Sequence, residues 1–278
     1  MRKLKITTIL LLSIFVLAGC LEVQTTVSVK PDGSGTVRER VLVKSDMLIM
    51  MMKMAKSMKE DGDENGKKKK SGLFDEQELR EKAETMGEGV TYKSGKILSS
   101  DDGEGYEATY AFKDINTLHV SETPDIEPPS PSSPDEDEGE EEKSEKKEIT
   151  FEFTKGSPAT LVVHVPPSNR NKDTKDEPED EQEETESGIE MARMMLKDLR
   201  ISTVVEVQGT VVESDASFRD KSKITLMDID FGKLLADENL IRKAMKRNDI
   251  SDDEARALMK EYPGLKIELN KTTTVRFR

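Results

Sequence analysis

The chain has 278 residues, 57 of them acidic and 43 basic, giving a formal net charge of −14, with one cysteine and two histidines. That balance argues against nucleic acid as a partner, since a phosphate backbone repels it. A single cysteine excludes any internal disulfide, although exported chains often use them. The motifs GxSxG, GxxxxGK[ST] and HExxH are absent from the sequence, which leaves an enzyme without a local signature.

The N-terminus reads as an export signal. Arg2, Lys3 and Lys5 precede a stretch from Ile6 to Gly19 that is apolar except for Thr7, Thr8 and Ser13. This is a basic region followed by a short hydrophobic core, shorter than the roughly 20 residues a bilayer span needs. At its end, Leu17-Ala18-Gly19-Cys20 resembles the bacterial lipobox. The resemblance implies diacylglyceryl transfer to the Cys20 thiol, cleavage before it and two or three acyl chains. More than one chain makes such an anchor stable, because each buried CH₂ contributes about 0.8 kcal/mol. Residues 1–19 are then a signal peptide, with an ordinary signal peptide or an uncleaved helix as alternatives. Leu21, rather than Asp, follows the cysteine, which by the same resemblance favours the outer membrane if the cell has two.

Alternation predicts strands directly behind the cysteine. "EVQTTVSVK" and "TVRERVLVK" place Val23, Val27 and Val29, then Val37, Val41 and Val43, at period two around a Pro31-Asp32-Gly33-Ser34-Gly35 turn, giving a hairpin. A helix-like run, "SDMLIMMMKMAKSMKE", follows at 45–60. A second helix is predicted in "LFDEQELREKAETMG", capped by Asp75 and stopped at Gly87. "GVTYKSGKIL" and "GYEATYAFKD" form another hairpin candidate, and "EITFEFTKG" and "ATLVVHVP" two more strands.

Two acidic tracts interrupt this pattern. Residues 121–147 carry net −8 and residues 171–187 net −7. Both are rich in Pro, Glu, Asp and Ser and are expected to be disordered loops, leaving the mature body near −2. Such insertions are tolerated at loop tips, so 20–278 is expected to be a single body. Its last third holds a Met-rich helix at 188–199, strands in "RISTVVEVQGTVVE" and "SKITLMDIDF", and a helix over about 232–247. A further helix opens at the capping box Ser251 to Glu254, and one or two strands lie in "GLKIELNKTTTVRFR".

Hairpins followed by helices predict an α+β body, mainly antiparallel sheet with helices packed on one side. The stretch from Val23 to Val43, "GVTYKSG" at 89–95 and "AFKDINTL" at 111–118 resemble the LppM-type domain of bacterial surface lipoproteins. That resemblance brings no catalytic residues.

Chemistry is sparse. His119 and His164 are the only histidines, and His164 falls on the outward side of its strand. "DGDENG" at 61–66 begins like an EF-hand loop, but Gly72 stands where the bidentate Glu belongs and Lys67 to Lys70 occupy the ligand region. No metal, cofactor or catalytic residue is assigned. Met47, Met50, Met51, Met54 and Met58 form a stripe at helical spacing, with Lys53 and Lys56 beside it. Methionine fills irregular cores and also suits adaptable apolar contacts, so these residues are a candidate surface for a protein or lipid partner. The expected role is that of a lipid-anchored cell-envelope protein with a non-enzymatic binding or structural function. A hydrolase whose site forms only in the fold is the alternative.

Intact-mass analysis of the membrane-purified protein should give a chain starting at Cys20 with added lipid mass, and Cys20→Ala should accumulate as unprocessed precursor. Retention of residues 1–19 by the unmutated chain would contradict the lipobox reading.

Overall fold

The computed structural model describes residues 21–45, 76–101, 103–121, 147–166, 199–237 and 251–278, with single positions 193, 196, 197 and 240. Alternation of branched and polar side chains builds the first hairpin as expected, β1 (Leu21–Val29) against β2 (Gly35–Lys44). At Gly35 a Cβ would fall 1.9 Å from the Ser28 carbonyl oxygen and 2.6 Å from the Phe112 ring, so only glycine fits there. Gly33 takes φ +86° in the turn, a conformation open to glycine without steric cost.

The hairpin is the middle of a large mixed sheet. β2 continues antiparallel to β4 (Gly103–Phe112), which pairs with β3 (Thr91–Ser100) at the edge. On its other side β1 runs parallel to β8 (Leu199–Val207), and β8 pairs with β11 (Lys223–Asp230), flanked by β10 (Arg219–Asp220) and β12 (Leu265–Ile267). A second, fully antiparallel sheet has the order β5 (Val120–Ser121), β6 (Glu148–Thr154), β7 (Ala159–His164), β13 (Thr272–Phe277), β9 (Val211–Ser214).

The sheets share one core. Val27, Val29, Val37, Phe112, Val205 and Val207 of the first belong to the same buried cluster as Phe151, Leu161, Val163, Val275 and Phe277 of the second. Phe153 closes over Gly33, where an added Cβ would fall 2.8 Å from its ring, and lies 6.3 Å from Phe277, ring to ring. The chain crosses between sheets through a 3-10 turn at Ile115–Thr117, capped by Asp114. Further crossings are the Gln208–Thr210 link and residues 268–271. The Ile115 amide donates to the Gly33 carbonyl at 3.0 Å, and that of Gln208 to the Val29 carbonyl at 2.7 Å, fastening two of these crossings to the turn end of the first hairpin.

The expected α+β class is corrected here. Strands make up 53% of the described residues and helices 19%, and the main packing is sheet with sheet, not a layer of helices on one side of a sheet. Described helices are α1 (Glu76–Thr85), α2 (Phe231–Leu234) and α3 (Asp252–Glu261). The capping box forms as read: Ser251 Oγ accepts from the Glu254 amide at 3.3 Å and Glu254 accepts in return from the Ser251 amide at 3.0 Å. The C-terminal segment divides into β12 and β13, which belong to different sheets. Its buried side chain between them is Glu268, which accepts from the Ser217 amide and hydroxyl and the Asn270 amide. Most of both acidic tracts and of the Met-rich runs lies outside the described residues. Ser121, taken as the first tract residue, ends β5.

Candidate functional site

A polar row crosses the inner face of the first sheet. In register, Thr203 of β8 lies beside Thr25 of β1, Thr25 beside Glu39 of β2, and Glu39 beside Ala108 of β4. Thr25, Glu39 and Thr203 are all buried. Apolar rows border them on both sides: Ile201, Val23, Val41 and Tyr106 on one, Val205, Val27, Val37 and Tyr110 on the other. Glu39 thus breaks the apolar alternation Val37, Val41, Val43 at an inward position.

Helix α1 supplies the counter-charge. Leu79, Ala83 and Met86 are buried, at the i, i+4, i+7 spacing of one helix face, and Lys82 lies in the same stripe. Its Nζ sits 2.9 Å from Glu39 Oε2, with the side chains 22% and 10% exposed. Tyr106 completes a triangle: its hydroxyl donates to Glu39 Oε2 at 3.3 Å and lies 3.4 Å from Lys82 Nζ. A buried carboxylate is tolerable only when paired and hydrogen-bonded in this way.

Tyr110, two residues along β4, is fully buried, and its hydroxyl makes no hydrogen bond. Burial first, and then the negative charge of Glu39, hold this phenol protonated well above the ordinary tyrosine value of 10.0. Its ring meets Tyr92 edge-on at 6.1 Å, and Tyr92 is in turn covered by the Arg80 guanidinium at 4.6 Å. The cluster can hold a proton on Tyr110 and a fixed charge pair at Glu39 and Lys82.

The opposite face of the sheet carries a separate set of charges. Arg40 contacts Glu107 at 2.7 Å and Glu22 at 3.8 Å, and Arg200 pairs with Asp228 at 3.2 Å.

The two histidines sit on the outer side of the second sheet. His119 Nδ1 is 3.2 Å from Glu148 and His164 Nε2 is 3.1 Å from Glu152. Extending the register puts both imidazoles in the row of Thr150, two strand spacings or about 10 Å apart. Each is partly exposed with one glutamate beside it, and no group of three or more candidate metal ligands forms among the described residues.

Cys20 lies just outside the described residues, immediately before the first residue of β1. Met47, Met50, Met51, Met54, Met58, Lys53 and Lys56 lie outside them as well. The Glu39, Lys82, Tyr106 and Tyr110 cluster was not anticipated from sequence. Its one local signal was the acidic residue among inward-facing valines.

No protein-family model matches the chain, and no curated protein matches it either. Among solved structures it is similar to the folded domain of Mycobacterium tuberculosis LppM, determined by NMR. The identity is 10%, over 77% of this chain and 84% of that one, with a TM-score of 0.28. A likeness of that size carries no argument about fold or function.

The cluster makes opposite predictions for two of its members. Lys82→Met strands the buried Glu39 charge and should cost about 3–5 kcal/mol in denaturant unfolding. Tyr110→Phe removes only an unpartnered hydroxyl and should be neutral or stabilising by about 1 kcal/mol. Because the folded state holds the Tyr110 proton more tightly than the unfolded chain, stability is full below pH 10 and falls as pH rises above it. Tyr110→Phe should blunt that alkaline loss, and an unchanged alkaline limb would contradict the assignment.

Proposed function

We propose that the chain is a lipid-anchored protein of the bacterial cell envelope with a non-enzymatic binding or structural role, and that its residue 47–58 run contacts a protein or lipid partner. The observation that supports this most is the absence of any spacer between lipobox and fold. β1 begins at Leu21, one residue after Cys20, and is a central strand of the larger sheet. Acyl chains on Cys20 would therefore hold the sheet itself against the bilayer.

Leu21, the residue after Cys20, pairs with Val43, the penultimate residue of β2, and the segment holding Met47, Met50, Met51, Met54 and Met58 follows β2 in the chain. In this reading that segment acts beside the acyl anchor. Lys53 and Lys56 there, and Lys67 to Lys70 beyond, suit an anionic surface, where each lysine contributes about 1 kcal/mol. Among the described residues no helix is long and apolar enough to cross a membrane, and the acyl anchor would supply the attachment. Residues 20–278 act in this reading as one body, with the acidic tracts as insertions. Both tracts leave the same end of the second sheet, after Ser121 of β5 and after His164 of β7.

Thermal unfolding and flotation with anionic vesicles, on chains starting at Leu21, test the contact surface. Met50→Gln, Met51→Gln and Met54→Gln should leave Tm nearly unchanged and reduce vesicle binding or partner capture. A large fall in Tm without a selective binding defect would return these methionines to the core.

A further inference from the structure

Six strands of the first sheet stop together at the end where β1 begins. In the row of Leu21, β8 starts at Leu199. β2, β4 and β3 run one residue further, to Lys44, Gly103 and Ser100, and β11 stops one residue short, at Asp230. The strand ends thus form a level rim. Ser45 Oγ donates to the Asp101 carbonyl across it at 2.7 Å, and Lys233 of α2 pairs with Asp230 at 2.9 Å. β1 lies well inside the rim, three strand steps from β3 and two from β11.

We infer that the sheet stands end-on to a lipid bilayer, with the rim from Ser100 to Asp230 seated on the headgroups and the strands directed away from the membrane. This rests on acylation of Cys20, as proposed above, and adds which surface meets lipid. Consecutive Cα atoms are about 3.8 Å apart, so acyl chains on Cys20 keep Leu21 at the headgroups. A sheet lying on its β3 edge would hold Leu21 about three strand spacings, roughly 14 Å, above the lipid. The opposite edge is about as far away, because β10 lies beyond β11. A tether one residue long reaches neither.

The two faces are excluded on other grounds. Leu21, Val23, Val41 and Val43 are buried on the inner face, so that side is already committed to the core. The outer face carries Glu107, Glu206 and Asp228 in the rows of Arg40, Ser28 and Ser202. Laying it flat would strip water from these carboxylates, which is costly, beside lipid phosphates of the same sign. The rim has no such conflict. Lys44 and the Ser100 hydroxyl are donors suited to phosphate and ester oxygens, while the rim charges Lys44 and Lys233 are balanced by Asp101 and Asp230. The short tether, rather than net charge, therefore sets the orientation.

Fluorescence quenching by nitroxide-headgroup lipids tests this on the full acylated chain in phosphatidylcholine vesicles. Acylation consumes the single native thiol, so one introduced cysteine takes the fluorophore. Asp101, Arg38 and Lys30 are all exposed. Arg38 stands in the row of Thr26, so these sites lie at the rim, about 17 Å up the sheet and about 30 Å up it. Quenching should be strongest for Asp101→Cys, several-fold weaker for Arg38→Cys and at background for Lys30→Cys. A Gly/Ser linker of about 20 residues between Cys20 and Leu21, reaching about 25 Å, should abolish the gradient while the lipid mass stays. Equal quenching at 38 and 101 would show the outer face lying on the membrane and overturn the end-on placement. Background quenching at all three sites, or a gradient that survives the linker, would overturn it as well. These results on a chain carrying lipid mass leave the anchor standing, whereas absence of that mass would overturn both.

Discussion

The structure depends on β1 being paired on both sides along its whole length. Each residue from Leu21 to Val29 is in register with β2 on one edge and with β8 on the other. The second pairing is parallel, in a sheet otherwise antiparallel, and a parallel neighbour cannot be reached by a tight turn. The connection here contains β2 to β7, helix α1 and both acidic tracts. Closing so long a loop costs entropy that grows only slowly with length. The apolar rows that β1 and β8 add to the core offset it.

That arrangement also fixes the polar row. A slip of one residue between β1 and either neighbour would turn its valines outward and separate Thr25 from Glu39 and Thr203. Lys82 then positions α1, because the buried carboxylate of Glu39 must find its counter-charge. Burial of such a pair contributes little net stability against an apolar replacement, while losing one partner is costly. The pair consequently sets where the helix sits more than how tightly the sheets hold together. Burial gives Tyr110 most of its elevated proton affinity, and the nearby Glu39 charge adds to it while Lys82 opposes it.

Local structure was readable where it depends on neighbours in sequence. Period-two alternation marked β1, β2, β4, β6 and β7, the Asp-Gly content marked the first turn, and the Ser251 to Glu254 spacing marked the start of α3. What escaped was partner choice. Nothing in "RISTVVEV" says that it runs parallel to a strand about 170 residues earlier, and nothing in "KIELNKTTTVRFR" marks the change of sheet at Glu268. The helical stretches had suggested a covering layer, but a helix pattern does not show that a second sheet occupies the core. Glu39 was visible as an acidic residue among valines. Its meaning rested on Lys82, Tyr106 and Tyr110, which only the tertiary fold brings to it.

Amide hydrogen exchange, resolved to peptides by mass spectrometry, tests the doubly paired β1 most directly. Amides of β1 and β8 should exchange together and only through the largest opening of the molecule, as slowly as those of β2 and β4. Slow exchange in β1, β2 and β4 with fast, independent exchange in β8 and β11 would contradict the account, because it would show two hairpin units that do not share a sheet.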